Sequence, residues 1–288
     1  MIYYNEEGYM ELLQRVLSGG VETPDRTGVG CKKVFNAQII WDKFPRQTVR
    51  PLGIKYAWEE MKLFLSGDTD TKKLEEKGIM FWAGNTSREF LDNRGMQNYP
   101  EGSLGKSYSY QWRNAGGFVD QLQKLIIGLS VNPYSRRHAV DLWGVTEQDD
   151  FPLLPCWYRL GCFVEPTVGG KDKLHFKLYS RSNDLVFGYY QAAIQYRMFQ
   201  MCLARMVGMD VGLLVTDLLD IHVYKNQYEY AEEMLGRHLG ESGTVSLSDG
   251  VVVDCTSSLL SVGVDDFVVE DYEPNRKPFK TPRPPMAV

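Results

Sequence analysis

Residues 191–206, QAAIQYRMFQMCLARM, carry Ile194, Met198, Cys202 and Met206 at i, i+4 spacing, with Phe199 and Leu203 beside them. An apolar surface that wide on one helix has to be covered from several sides. The segment predicts a central helix with the rest of the chain built around it. Shorter helices are predicted over 8–18, where Met10, Leu13 and Val16 share a face, and over 55–66, ended by Gly67. Another is predicted over 120–129, where Leu122, Leu125, Ile126 and Leu129 form a stripe between an N-cap, Asp120, and a stop, Asn132-Pro133. HAVDLW at 138–143 is β-rich. YRLGCFVEP (158–166) and KLHFKLYS (173–180) flank Gly169-Gly170, and Leu174, Phe176 and Leu178 alternate with polar neighbours. That pattern predicts an antiparallel hairpin with one buried face. Residues 240–253 read as a loop with a short strand, and the tail from 273, with five prolines in 16 residues, as extended chain. The sum is α+β, with helices on a mixed or antiparallel sheet. No Pro/Gly/Ser linker divides the chain, so one domain is expected over 1–288.

Other features narrow the function. Hydrophobic residues make up 43% of the chain and charged residues 24%, so wholesale disorder is not expected. The net charge of −5 argues against a non-specific nucleic-acid binder, though not against a small anion held by a few arginines. No apolar run approaches the ~18 residues that cross a bilayer, and the start has acids where a signal peptide has a basic region. A cytoplasmic protein without nucleic-acid or membrane partners is expected. The five cysteines are in no CxxC spacing and the four histidines are scattered, so neither a disulfide framework nor a metal site is indicated. Neither GxGxxG nor a P-loop is present.

The candidate nucleophile is Cys156 in LLPCWYRL, at the start of a predicted strand. A buried cysteine acting as a small apolar residue is the plainer alternative. An active thiol needs nearby positive charge, which Arg26 in DRTGVG, Arg136 and Arg137 in NPYSRRHAV, and Arg181 in YSRSND are able to supply. The same guanidinium forks match a phosphate, with the Ser182 hydroxyl as a further donor and Gly28 and Gly30 allowing a loop to close over the anion. Solvated surface arginines are the alternative here.

A resemblance separates these readings. RTGVG (26–30), EEMKLFLSGDTD (59–70), FWAGNTSREFLDNRG (81–95), LGKSYSYQWR (104–113), NPYSRRHAV (132–140), LPCW (154–157), RSND (181–184), Gly188, DIHVY (220–224) and the terminal MAV follow in order. Together they resemble the thymidylate-synthase-type enzymes, a folate-dependent family that includes pyrimidine nucleotide hydroxymethylases. The similarity runs from about residue 8 to the last residue. The resemblance implies a mixed sheet that forms a dimer interface, with helices packed around it. It implies addition of the Cys156 thiolate to C6 of a pyrimidine nucleoside monophosphate, which makes C5 nucleophilic toward the one-carbon unit of methylenetetrahydrofolate. Neither metal nor flavin is implied. Glu60 matches the glutamate that organises water and proton transfers. Arg26, Arg181 and Ser182 match phosphate ligands, and Arg136 and Arg137 match arginines given by the opposite subunit of a homodimer. His222 and Tyr224 match groups at the sugar. Trp82, Asn85, Asp184 and Gly188 match the folate pocket, and Val288 the tail that closes over it.

Three departures bear on substrate and product. The synthases have His after the nucleophile, where this chain has Trp157, which accepts no hydrogen bond. Where the synthases read the base with Asn and phage dCMP hydroxymethylases with Asp, this chain has Ala192; Gln191 and Gln195 are the nearby substitutes, suited to uracil or cytosine. RSNDLVFG is closer to the phage hydroxymethylases, whereas Arg26 and the MAV terminus are synthase-like. These features put a deoxynucleotide hydroxymethylase first, located in the host cytoplasm if phage-encoded. A thymidylate synthase or other C5 methyltransferase comes second, and an inactive nucleotide-binding relative third.

Overall fold

The computed structural model describes residues 1–285, so Val288 lies outside the described residues. The strands are β1 (Ile2–Tyr4), β2 (Val21–Thr23), β3 (Cys31–Trp41), β4 (Ala139–Asp141), β5 (Trp157–Glu165), β6 (Lys173–Asp184), β7 (Asp210–Tyr224), β8 (Thr244–Leu247) and β9 (Phe267–Glu270). The helices are α1 (Asn5–Gly19), α2 (Ile54–Ser66), α3 (Lys72–Glu75), α4 (Arg88–Asn93), α5 (Tyr108–Asn114), α6 (Gln121–Val131), α7 (Gly188–Met206), α8 (Tyr228–Leu235) and α9 (Thr256–Ser261). Strands β1-β3-β7-β6-β5-β4 form a mixed sheet in that order, with β2 added on β3, and β8 and β9 pair separately. The expected hairpin is the antiparallel pair β5–β6, running from Trp157↔Ser180 to Glu165↔Lys173. The expected Asp120 cap accepts from Gln123 N at 2.8 Å, and Gly67 ends α2 at φ 81°, a left-handed conformation that favours glycine. The tail carries no helix or strand from Glu273 to Pro285.

α7 is the central helix: from Tyr189 to Ala204 every residue except Gln191 is buried. Its polar side chains complete the hydrogen bonding of the sheet around it. Arg197 donates to Gly212 O and Trp41 O, each at 2.7 Å, and to Lys43 O at 3.2 Å. Gln200 donates to Leu174 O and Leu213 O. The β6–β7 register shifts between Leu174 and Phe176, beside one of those carbonyls. A carbonyl left unpaired in the interior costs about 1–3 kcal/mol, so the two side chains stabilise an irregular stretch of sheet.

The β3–β7 pairing steps from Phe35↔Asp220 to Ala37↔Leu218, with Asn36 at φ 55° between them. The register is the same on both sides of this break, and Phe35 and Leu219 lie at it. With Phe163 on β5 they are exposed, apolar side chains on the outer face of the sheet, beside the ion pair Lys177–Asp217. Among the described residues no helix is long and apolar enough to cross a membrane.

Candidate active site

A cavity of about 460 Å³ is lined by Glu60, Trp82, Tyr108, Cys156, Gln191 and Gln195, among others. Cys156 lies in the short connection that enters β5. Its N–H donates to Tyr108 Oη at 2.8 Å, and its carbonyl accepts from Arg181 N at 3.0 Å. Arg181 also donates through Nε to Pro155 O at 3.0 Å and through Nη2 to Leu154 O at 2.8 Å. One guanidinium therefore grips the two carbonyls just before the thiol. Burial pushes the Cys156 thiol above its ordinary range, and Arg181 and Arg26 act against that shift. Of the arginines expected near the thiol, Arg181 and Arg26 favour its ionisation, and burial outweighs them.

Glu60 sits on α2, buried at the cavity wall. Oε1 accepts from Trp82 Nε1 at 2.6 Å; Oε2 accepts from Gln191 Nε2 at 3.1 Å and from Gln195 Nε2. Burial pushes the carboxyl above the usual carboxylate range, and those three donors pull it back. The two glutamines expected to face a base donate instead to this carboxylate. Ala192 lies between them in sequence and lines the same cavity, as does Trp157.

Ser182, Asn85, Asp184 and Gly188 are also on the wall. Asn85 is buried with its Nδ2 unpaired among the described residues, a donor aimed at something the protein does not supply. Asp184 accepts from Val186 N, Phe187 N and Gln227 Nε2, which fixes the turn into α7. His222 and Tyr224 lie beside the cavity on β7, not among the residues that line it. His222 Nδ1 is 2.9 Å from Asp220 Oδ1, its ring meets Tyr224 edge-on at 5.0 Å, and it pairs in register with Asp184. Burial pushes Tyr224 up to about 12. Arg26 is exposed on the loop between β2 and β3, where Gly28 and Gly30 both have φ 77°. Arg136 and Arg137 are exposed and outside this cavity; Arg137 lines a separate hollow beside α6.

Several wall residues carried no signal in the sequence. Tyr108 stacks on Phe64 at 4.7 Å and meets Trp82 edge-on. Phe187 is shared by two guanidiniums, Arg50 at 4.9 Å and Arg283 at 5.0 Å. Arg283 belongs to the tail, which is tied down by Phe279 stacked on Tyr230 and by Lys280 and Thr281 N–H groups on Glu233. A cavity lined by aromatic rings and two cations suits an aromatic ligand bearing carboxylates. Among the described residues no cluster of His, Cys, Asp or Glu is arranged to hold a metal ion.

The family model described as thymidylate synthase matches residues 7–282. Thymidylate synthase of Saccharomyces cerevisiae is 31% identical over 94% of this chain and 94% of its own length. That of Candida albicans is 32% identical over 93% of this chain and 92% of its own length. A probable thymidylate synthase of Schizosaccharomyces pombe is 33% identical over 93% of this chain but 46% of its own, longer sequence. Matched across nearly its whole length, with the LPCW cysteine and the α2 glutamate on one cavity wall, the chain belongs to the thymidylate synthase family.

Proposed function

We propose that the chain is a thymidylate synthase in activity as well as family, joining a one-carbon unit to C5 of dUMP and reducing it to a methyl group. The observation that carries this is the placement of Cys156 and Glu60 on one wall-bounded cavity of about 460 Å³. The names of the relatives favour the methyl product over the hydroxymethyl product that Trp157, Ala192 and RSND suggested. Methylenetetrahydrofolate supplies the one-carbon unit and then the hydride, leaving as dihydrofolate. The cavity fits it: Trp82 and Phe81 offer aromatic walls, Asn85 an unpaired donor, and Arg50 and Arg283 partners for its carboxylates. Cys156 adds to C6 and loses its thiol proton; C5 becomes the nucleophile. Glu60 holds water at the base and takes part in moving the C5 proton. Ser182, Arg181 and Arg26 hold the phosphate, His222 and Tyr224 the sugar, and Asp184 and Gly188 the folate side.

The hydroxymethyl reading rests on Trp157, Ala192 and the RSND segment, of which Trp157, Ala192, Ser182, Asn183 and Asp184 line the cavity. One assay decides. Wild-type protein is incubated with methylenetetrahydrofolate and either dUMP or dCMP, and the nucleotide product is weighed by mass spectrometry. A product heavier by CH2, with dihydrofolate formed, is the expected result from dUMP. A product heavier by CH2O would establish hydroxymethyl transfer, and no product from either would leave a nucleotide-binding relative.

The working form is a homodimer through the outer sheet face, where Phe35, Phe163 and Leu219 are exposed, with Arg136 and Arg137 placed in the partner's phosphate site. Mixing inactive Cys156→Ser with inactive Arg137→Ala should restore up to about a quarter of wild-type activity, because half the exchanged dimers carry one intact site. Demonstrated exchange with no recovered activity would refute the shared site.

A further inference from the structure

We propose that Gln191 and Gln195 are positioning residues: spaced one turn apart on α7, they donate to the same oxygen of Glu60 and hold its carboxyl group in one orientation against the cavity. The inference rests on the reading of Glu60 as the acid–base group. The spacing places both side chains on one face of the helix, and both carboxamides converge on Glu60 Oε2. Trp82 Nε1 holds Oε1 from the opposite side. Three donors from two segments hold the carboxylate in its observed rotamer, so its orientation is set before substrate arrives. Gln195 is itself buried, so its amide has no solvent to turn to.

The committed NH2 groups have a second effect. A carboxylate in a cavity this apolar is driven toward its neutral form, and each N–H directed at it favours the ion. The other ionisable groups on the wall are Tyr108 from α5, Cys156 ahead of β5, Asp184 at the end of β6, Tyr196 on α7, Tyr230 on α8, and Arg50 and Arg283 from the flanking loops. Burial holds Tyr108 and Tyr196 far above the neutral range. Asp184 is held by its own N–H donors and Gln227, none of which involves the glutamines. The glutamine pair therefore acts on Glu60 alone.

Gln195→Met and Gln191→Met keep side-chain length and remove the donors. Glu60 is followed by 13C NMR of glutamate-labelled protein in the Cys156→Ser background, its signal assigned by its absence in Glu60→Gln. Loss of one donor to the charged form should raise the Glu60 midpoint by roughly one pH unit. In active enzyme, kcat should fall roughly 10-fold with nucleotide Kd within about twofold of wild type. An unmoved midpoint in both folded variants would overturn the inference, even where kcat falls, because lost packing alone lowers kcat without changing the titration. If one variant fails to fold, the other decides. Wild-type turnover in Glu60→Gln would instead overturn the reading of Glu60 itself, and the inference with it.

Discussion

Cys156→Ser should abolish turnover, lowering kcat by about 10,000-fold or more, while the nucleotide still binds. The thiol starts at a disadvantage, since burial holds it neutral, and only Arg181 and Arg26 favour its ionisation. A serine hydroxyl in the same place is far less acidic, and the same two arginines cannot close that gap. Binding survives because the Arg181 grip on Leu154 O and Pro155 O involves the backbone, which serine preserves. Calorimetric titration with dUMP should give an affinity within about threefold of wild type, and intact-protein mass should show the covalent nucleotide adduct only with cysteine present. Turnover within tenfold of wild type would remove Cys156 from the mechanism. Wild-type kcat/KM should rise with pH as the thiolate forms, because a thiol pushed up by burial is neutral at pH 7.

Arg181→Ala should be nearly as damaging, roughly 1,000-fold in kcat/KM, with KM raised and kcat lowered together. The split follows from the two jobs of one guanidinium. Under the proposed function it meets the phosphate, which affects KM; in the structure it fixes the carbonyls before Cys156 and favours the thiolate, which affects kcat. Arg181→Lys keeps the charge but cannot bridge two carbonyls with a planar fork, so kcat should stay roughly 100-fold low. Full recovery of kcat with lysine would show that Arg181 acts through charge alone.

The sequence made some of this legible and hid the rest for identifiable reasons. α7 was readable because a helix buried on all sides shows its apolar surface in any register. The Asp120 cap and the Gly67 stop are local events, settled within a few residues. The long strands β3 and β7 were not identified as strands, because the left-handed Asn36 interrupts the two-residue alternation of β3 and charged residues face the outer side. At the site, Cys156 and Glu60 emerged from ordered motifs across the chain. The contacts that organise them did not: Tyr108 reaches the Cys156 N–H across 48 positions, and Gln195 reaches Glu60 across 135. Periodicity carries no record of such pairings. The glutamines line the cavity but donate to Glu60 rather than facing a base, because a carboxylate 131 and 135 positions away leaves no mark on local sequence.

Arg197 gives α7 a property that bears on ancestry. By tying the helix to Trp41 O, Lys43 O and Gly212 O, it fixes the position of α7 at a point about a turn and a half beyond Gln191 and Ala192. Residues on the cavity side are then exchangeable without sliding the helix against the sheet. Substitutions at positions 191, 192 and 195 can accumulate along a lineage in small steps while leaving the frame intact. The cavity end of α7 is open to such change, and the Arg197 end is held to the sheet.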